Sequence, residues 1–120
     1  MHHKYKMHEQ IKNLTPDQLK AFVEFRYRFL EEELRELLNN INDPEQVVDA
    51  IIDLCVVAIG TLDLLNVDVY KAWDEVHRAN MAKEVGIKES RPNPFGFPDL
   101  VKPAGWVAPS HEGNHGLLDK

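Results

Sequence analysis

Two sets of carboxylates stand out in the 120 residues. Glu31-Glu32-Glu33 is followed by Glu36, and farther along Asp49 precedes Asp53 by four positions. On a helix, spacings of three and four put side chains on neighbouring turns of one side. Each set is therefore a ladder of acids, provided that each lies on a helix. Like charges this close cannot all stay ionised without a counter-charge, so either carboxyl groups take up protons or cations sit among the oxygens. Several carboxylate oxygens with no thiol or grouped imidazole suit a hard cation such as Mg²⁺ or Mn²⁺.

The elements that must hold these ladders are legible. Thr15-Pro16-Asp17-Gln18 has the form of a capping box with proline at the first helical position. Leu19, Phe22, Val23, Leu30, Leu34, Leu37 and Ile41 follow at helical spacing, with Phe25 and Phe29 widening the stripe, which predicts a helix ending near Asn39-Asn40. Asp43-Pro44 with Gln46 starts a second helix, which should end near Leu65-Asn66. From Val47 to Leu62 its only residues that are not apolar are Asp49, Asp53, Gly60 and Thr61, the pattern of a central, buried helix. The link around Ile41–Asp43 is short, so the two helices should pack antiparallel. Residues level with each other in such a hairpin keep a constant sum of positions. Glu36 then stands level with Asp49, and Glu32 and Glu33 with Asp53.

A triplet such as Glu31-Glu32-Glu33 is usually a solvated helix face, and Arg26, Arg28 and Arg35 are available to pair with it. Asp49 and Asp53 are harder to dismiss. No other charged group lies on their stretch of helix, and a buried carboxylate is expected to be paired or metal-bound.

A third helix is expected from Val69 to about Glu84, after Asp68 and before Gly86, with Ala72, Trp73 and Val76 on its inner face. It carries Asn80 and Lys83, three apart and on one side with Val76. Lys83 suits a phosphate, and Asn80 a phosphate oxygen or metal-bound water, although Arg78 and Lys83 also read as surface charges near a helix C-terminus. Asp74 and His77 have the spacing of half a di-iron site, with no second half. From Ile87 onward Pro92, Pro94, Pro98, Pro103 and Pro109, with Gly96, Gly105, Gly113 and Gly116, forbid long regular elements. Phe95, Phe97, Leu100, Val101, Trp106 and Val107 are too apolar for a free tail. The segment should pack on the helices or on a neighbouring subunit.

The expected organisation is a flexible N-terminus over 1–14, an all-α core over 15–86, and an irregular C-terminal segment over 87–120. The net charge of −6 argues against a nucleic-acid polymer as partner. The single cysteine, Cys55, lies in an apolar run and reads as inert core; it excludes an internal disulfide and fits a reducing cytosol. Met1 to Lys6 lack the apolar stretch of a secretory leader, and the acids within Val47–Leu65 exclude a membrane span.

With these motifs in view, the chain resembles the MazG-like and phosphoribosyl-ATP pyrophosphohydrolase-like superfamily of all-α NTP pyrophosphatases. The likeness rests on Glu32-Glu33-x-x-Glu36 with Asp49-x-x-x-Asp53. Val48–Leu54, Gly60-Thr61 and Glu75–Lys83 look especially like its small bacterial and phage members, and Lys102-Pro103-Ala104-Gly105-Trp106 with Pro109 resembles their C-terminal segment. It spans roughly residues 19 to 111. The usual Glu-x-x-Asp of the second helix is replaced here, because Ala50 stands three before Asp53. That leaves open which oxygens bind which metal.

The resemblance implies a helical protomer that assembles as a dimer or tetramer. It implies hydrolysis of a (d)NTP, with (d)GTP as the first purine to test, to monophosphate and pyrophosphate in the cytoplasm of a bacterium or a phage-infected host. Mg²⁺, or Mn²⁺ in its place, would be held by Glu33, Glu36, Asp49 and Asp53. Glu32 or Glu33 would orient or deprotonate the attacking water, and Asn80 and Lys83 would hold the phosphates. Trp73, Phe95 and Trp106 are candidates to stack on the base. Phosphoribosyl-ATP is the alternative substrate within the same fold, and a non-catalytic helical oligomerisation module is the alternative outside it. The very apolar second helix independently favours a homo-oligomer.

Overall fold

A computed structural model describes residues 7–88 and 95–120 and is mostly helical. The chain divides into two compact units, one running up to Val69 and joined by Gly113–Lys120, the other Tyr70–Glu112. Residues 1–6 and 89–94, with Pro92 and Pro94 among the latter, lie outside the described residues.

The first unit is built on the expected hairpin. Helix α2 (Pro16–Asn39), which follows a short α1 (Met7–Lys12), starts with both halves of the capping box. Gln18 donates its N–H to Thr15 Oγ1 at 3.2 Å, and Thr15 donates its N–H to Gln18 Oε1 at 2.8 Å. Asn40 closes the helix by donating from Nδ2 to the Glu36 carbonyl at 2.9 Å. Helix α3 (Pro44–Leu64) starts where Asp43 Oδ1 accepts from the N–H of Glu45 at 3.1 Å and of Gln46 at 3.4 Å. The short link leaves α3 no choice but to run back along α2. On α2 the inward stripe is Leu19, Arg26 and Glu33, seven apart; on α3 it is Ala50, Val57, Gly60 and Leu64. Ala50 and Gly60 are small, which lets the two helices approach.

The core sits at the open end of the hairpin. Ile11, Leu19, Leu64 and Leu65 are buried there, with Met7, Leu14, Phe22, Val67 and Leu117 against them. α1 therefore corrects the expectation of a loosely held start over residues 7–12, because Ile11 is buried in that core. The chain returns to close it in a 3₁₀ turn, Gly116–Asp119. Leu117 donates its N–H to the Leu65 carbonyl at 2.7 Å, and Lys120 Nζ reaches the carbonyls of Lys12 and Leu14. Only glycine fits position 116, where φ is +57° and a Cβ would lie 2.0 Å from the Leu65 oxygen. Buried Asn114 clamps the Asp68 backbone from both sides, accepting from its N–H at 2.8 Å and donating to its carbonyl at 2.9 Å.

The second unit contains most of α4 (Val69–Met81), then strands β1 (Glu84–Gly86) and β2 (Asp99–Val101), paired antiparallel with Glu84 opposite Val101. α4 stops short of the expected end because Glu84 to Gly86 are taken into this hairpin. Within this unit the C-terminal segment bonds to α4: the Trp106 indole N–H donates to the Ala79 carbonyl at 2.7 Å. Glu75 accepts from Arg78 Nη2 at 2.9 Å and from the Ser110 N–H at 3.2 Å. These bonds hold its carboxyl below the ordinary carboxylate range.

Three burial expectations are corrected. α3 is not central within one chain. Val48, Ile51, Ile52, Val56 and Ile59 are exposed, because the single chain packs only one stripe of the helix. Cys55 is exposed for the same reason and is not core. Trp73, placed on the inner face of α4, is 66% exposed, and the buried residue of that helix is Ala79. No helix of the described residues is long and apolar enough to cross a membrane.

Candidate functional site

The acids meet on the α2–α3 hairpin, at the level the spacing predicts. Glu33 lies on the inward stripe of α2 and Asp53 on that of α3, between Ala50 and Val57, and both are half-buried. Glu32, Glu36 and Asp49 flank them and are exposed. Asp49 is thus less buried than the apolar sequence around it suggests, because it sits beside the stripe and not on it.

Glu33 is the electrostatic centre of the group. Its Oε2 is buried and has no hydrogen-bond partner among the described residues. Burial raises its pKa above the ordinary carboxylate value, and the charges of Glu36, Asp53, Asp49 and Glu32 raise it further. A carboxylate oxygen without a donor, surrounded by four more acids, is a site that a cation would relieve. All donors are hard oxygens, which fits Mg²⁺ or Mn²⁺. The described residues nevertheless contain no set of three or more His, Cys, Asp or Glu side chains already gathered to hold a metal ion. The acids act on Glu33 through charge repulsion, and binding an ion would require their side chains to draw together.

Among the described residues, none of Arg26, Arg28 and Arg35 forms an ion pair with these acids. Buried Arg26 makes no bond to a carboxylate of the described residues; its Nε donates to Thr61 Oγ1 at 2.8 Å and its Nη2 to the Val57 carbonyl at 3.2 Å. Its guanidinium also lies 6.0 Å from the Phe22 ring centre and 5.7 Å from that of Phe29. The sequence does hold a signal for this, since Arg26 is seven residues from both Leu19 and Glu33 on one stripe.

The remaining candidates belong to the second unit. Asn80 is exposed at the end of α4. Lys83 Nζ lies over the Trp106 ring, 5.4 Å from its centre. Lys102, which sequence reasoning did not single out as a site residue, lies over the same ring at 5.1 Å. Its placement depends on strand register, which no local pattern announces. Phe95 stacks on Phe97 with ring centres 5.7 Å apart, and Trp73 is exposed at the surface. A groove of about 380 Å³ is lined by Leu19, Val23, Leu117 and Leu118, among others, and by none of the site acids.

No curated protein and no solved structure matches the chain. Residues 4–80 match the phosphoribosyl-ATP pyrophosphohydrolase family, a stretch that contains every acid of the hairpin site and ends at Asn80. With that match over more than half its length, the chain belongs to the phosphoribosyl-ATP pyrophosphohydrolase family, within the MazG-like all-α NTP pyrophosphatases, and is a pyrophosphohydrolase of nucleoside triphosphates.

Proposed function

We propose that the protein cleaves a (d)NTP between its α and β phosphates, releasing the monophosphate and pyrophosphate, with divalent ions held at the hairpin acids. The observation that carries this reading is the buried oxygen of Glu33, without a hydrogen-bond partner among the described residues, amid the charges of Glu32, Glu36, Asp49 and Asp53. Glu33, Glu36, Asp49 and Asp53 would hold the metal. Bound Mg²⁺ or Mn²⁺ supplies charge to offset the phosphates and lowers the pKa of a water. Glu33 has the raised proton affinity of a general base, and Glu32 or Glu33 orients the attacking water and takes its proton. In the second unit, Asn80 and Lys83 offer the donors that phosphate oxygens need, and act by position and charge. Trp73 and Phe95 are the exposed aromatic rings open to a base, with (d)GTP the first purine to try, whereas the ring of Trp106, the third candidate, is taken up by Lys83 and Lys102. The apolar residues that α3 leaves exposed favour a homo-oligomer, a dimer or tetramer, as the working form.

The matched family favours a second substrate, phosphoribosyl-ATP, which carries the same triphosphate. Incubation of the protein and Mg²⁺ with the eight common (d)NTPs and with phosphoribosyl-ATP separates the two. The expected products are a monophosphate and pyrophosphate; orthophosphate and a diphosphate would refute the proposed bond. Asp53→Asn should lose at least ~100-fold in kcat/KM.

A further inference from the structure

Lys83 and Lys102 are brought together by strand register. Glu84 of β1 pairs with Val101 of β2, so Lys83, just before β1, stands across from Lys102, just after β2. Like charges opposite each other in a sheet destabilise the pairing. Neither lysine has a carboxylate partner among the described residues, although the chain as a whole carries a charge of −6. Lys83 is half-buried, which makes an unneutralised ammonium less comfortable still.

What holds the pair is Trp106. Both ammonium groups lie over its ring, at 5.4 and 5.1 Å from the centre. The ring is itself fixed. Its indole N–H donates to the Ala79 carbonyl at 2.7 Å, and its backbone N–H donates to the Pro103 carbonyl at 3.1 Å. Gly105, with φ at +77°, turns the chain to allow this. Cation–π contact steadies each ammonium but leaves its charge in place.

We infer that Lys83 and Lys102, adjacent across the strand register and sharing the fixed ring of Trp106, form an anion site that takes a pyrophosphate group, free or as part of a nucleotide. Ammonium groups act as point charges toward phosphate, and two of them match two linked phosphoryl units better than one. Trp106 then serves to preorganise the lysines, so less ordering is left for the moment of binding. Assigning the site to the reaction's pyrophosphate end rests on the hydrolysis proposed above; the anion site itself rests on the lysines.

The chain has two tryptophans, so Trp73→Phe leaves Trp106 as the sole indole reporter. That variant is titrated with sodium pyrophosphate in metal-free buffer, with orthophosphate and a nucleoside monophosphate in parallel. A saturable change in Trp106 fluorescence is expected with pyrophosphate, as the ammonium groups leave the ring for the anion, and a much weaker response with the other two. Adding Lys102→Met should weaken pyrophosphate binding about tenfold, while Lys102→Arg should retain most of it. Lys102 is exposed, and circular dichroism checks that each variant is folded. Equal drift with all three anions, or unchanged binding in folded Lys102→Met, overturns the inference. If that happens while the parent still hydrolyses (d)NTPs, the reaction stands without this site. Pyrophosphate binding without hydrolysis of any nucleotide keeps the site and sinks the reaction.

Discussion

Glu33 pays for its position with its own ionisation, and the sign of that effect is testable. Burial, and then Glu36, Asp53, Asp49 and Glu32, raise its folded-state pKa. The folded protein thus binds a proton more tightly at Glu33 than the unfolded chain does. This contribution is most favourable below the ordinary carboxylate value of about 4.3 and is lost as pH rises through the elevated folded value. At neutral pH Glu33 therefore destabilises the metal-free fold. Glu33→Gln should melt a few degrees higher than the parent in chelator at pH 7, with the gap shrinking toward pH 4. In millimolar Mg²⁺ or Mn²⁺ the parent should gain more than the variant, because an ion bound only to the folded state raises the midpoint. Melting curves across pH, with and without metal, check this. A Glu33→Gln protein that melts lower than the parent in chelator at pH 7 would contradict it.

On the scale of elements, Arg26 and Thr61 tie α2 to α3 at the level next to the acids. The contact fixes the height of one helix against the other, and with it the approach of Glu33 to Asp53. Thr61→Val strands a buried guanidinium N–H and should cost about 1–3 kcal/mol in denaturant unfolding. Arg26→Met removes the donor as well. The double variant should therefore be less destabilised than the sum of the single ones, because nothing is left stranded. Strict additivity would show that the bond carries no coupling. Thr15→Ala, which opens the capping box of α2, should cost about 1 kcal/mol in the same measurement.

The two long helices are also where the sequence is easiest to read. Thr15, Asp43 and the two prolines mark the starts by local hydrogen bonding, and a short link leaves one way to pack. The level arrangement of Glu33, Glu36, Asp49 and Asp53 follows from that arithmetic. α1 and the β1–β2 hairpin are not legible, because elements so short draw their stability from distant partners. Ile11 needs Leu64 and Leu65, and Glu84 needs Val101. Lys102 is placed by the same long-range register. Asp49 is less buried than its neighbours imply because an apolar sequence records what a helix could bury, not what one chain supplies to bury it.

For the molecule as a whole, the uncovered face of α3 bears on assembly. Val48, Ile52, Val56 and Ile59 recur at spacings of three and four, so they form a second apolar stripe, exposed beside the one packed on α2. A stripe of this kind on a lone chain would be in contact with water over successive turns, and burying apolar area yields roughly 25 cal/mol per Å². A second copy of the chain offers the same stripe and can cover it in a two-fold arrangement. Sedimentation at micromolar concentration should then give a species heavier than the 13.8 kDa chain. Replacing Ile52 and Val56 together by glutamate should shift it toward the monomer, since buried charges on each chain would face each other across the seam. Cys55 lies between those two positions and is exposed in the single chain, so it reports independently. Its reaction with a thiol reagent should be slow in the parent and speed up in the Ile52/Val56 variant. A parent that sediments at the mass of one chain with a fast-reacting Cys55 would show that the stripe stays open to solvent.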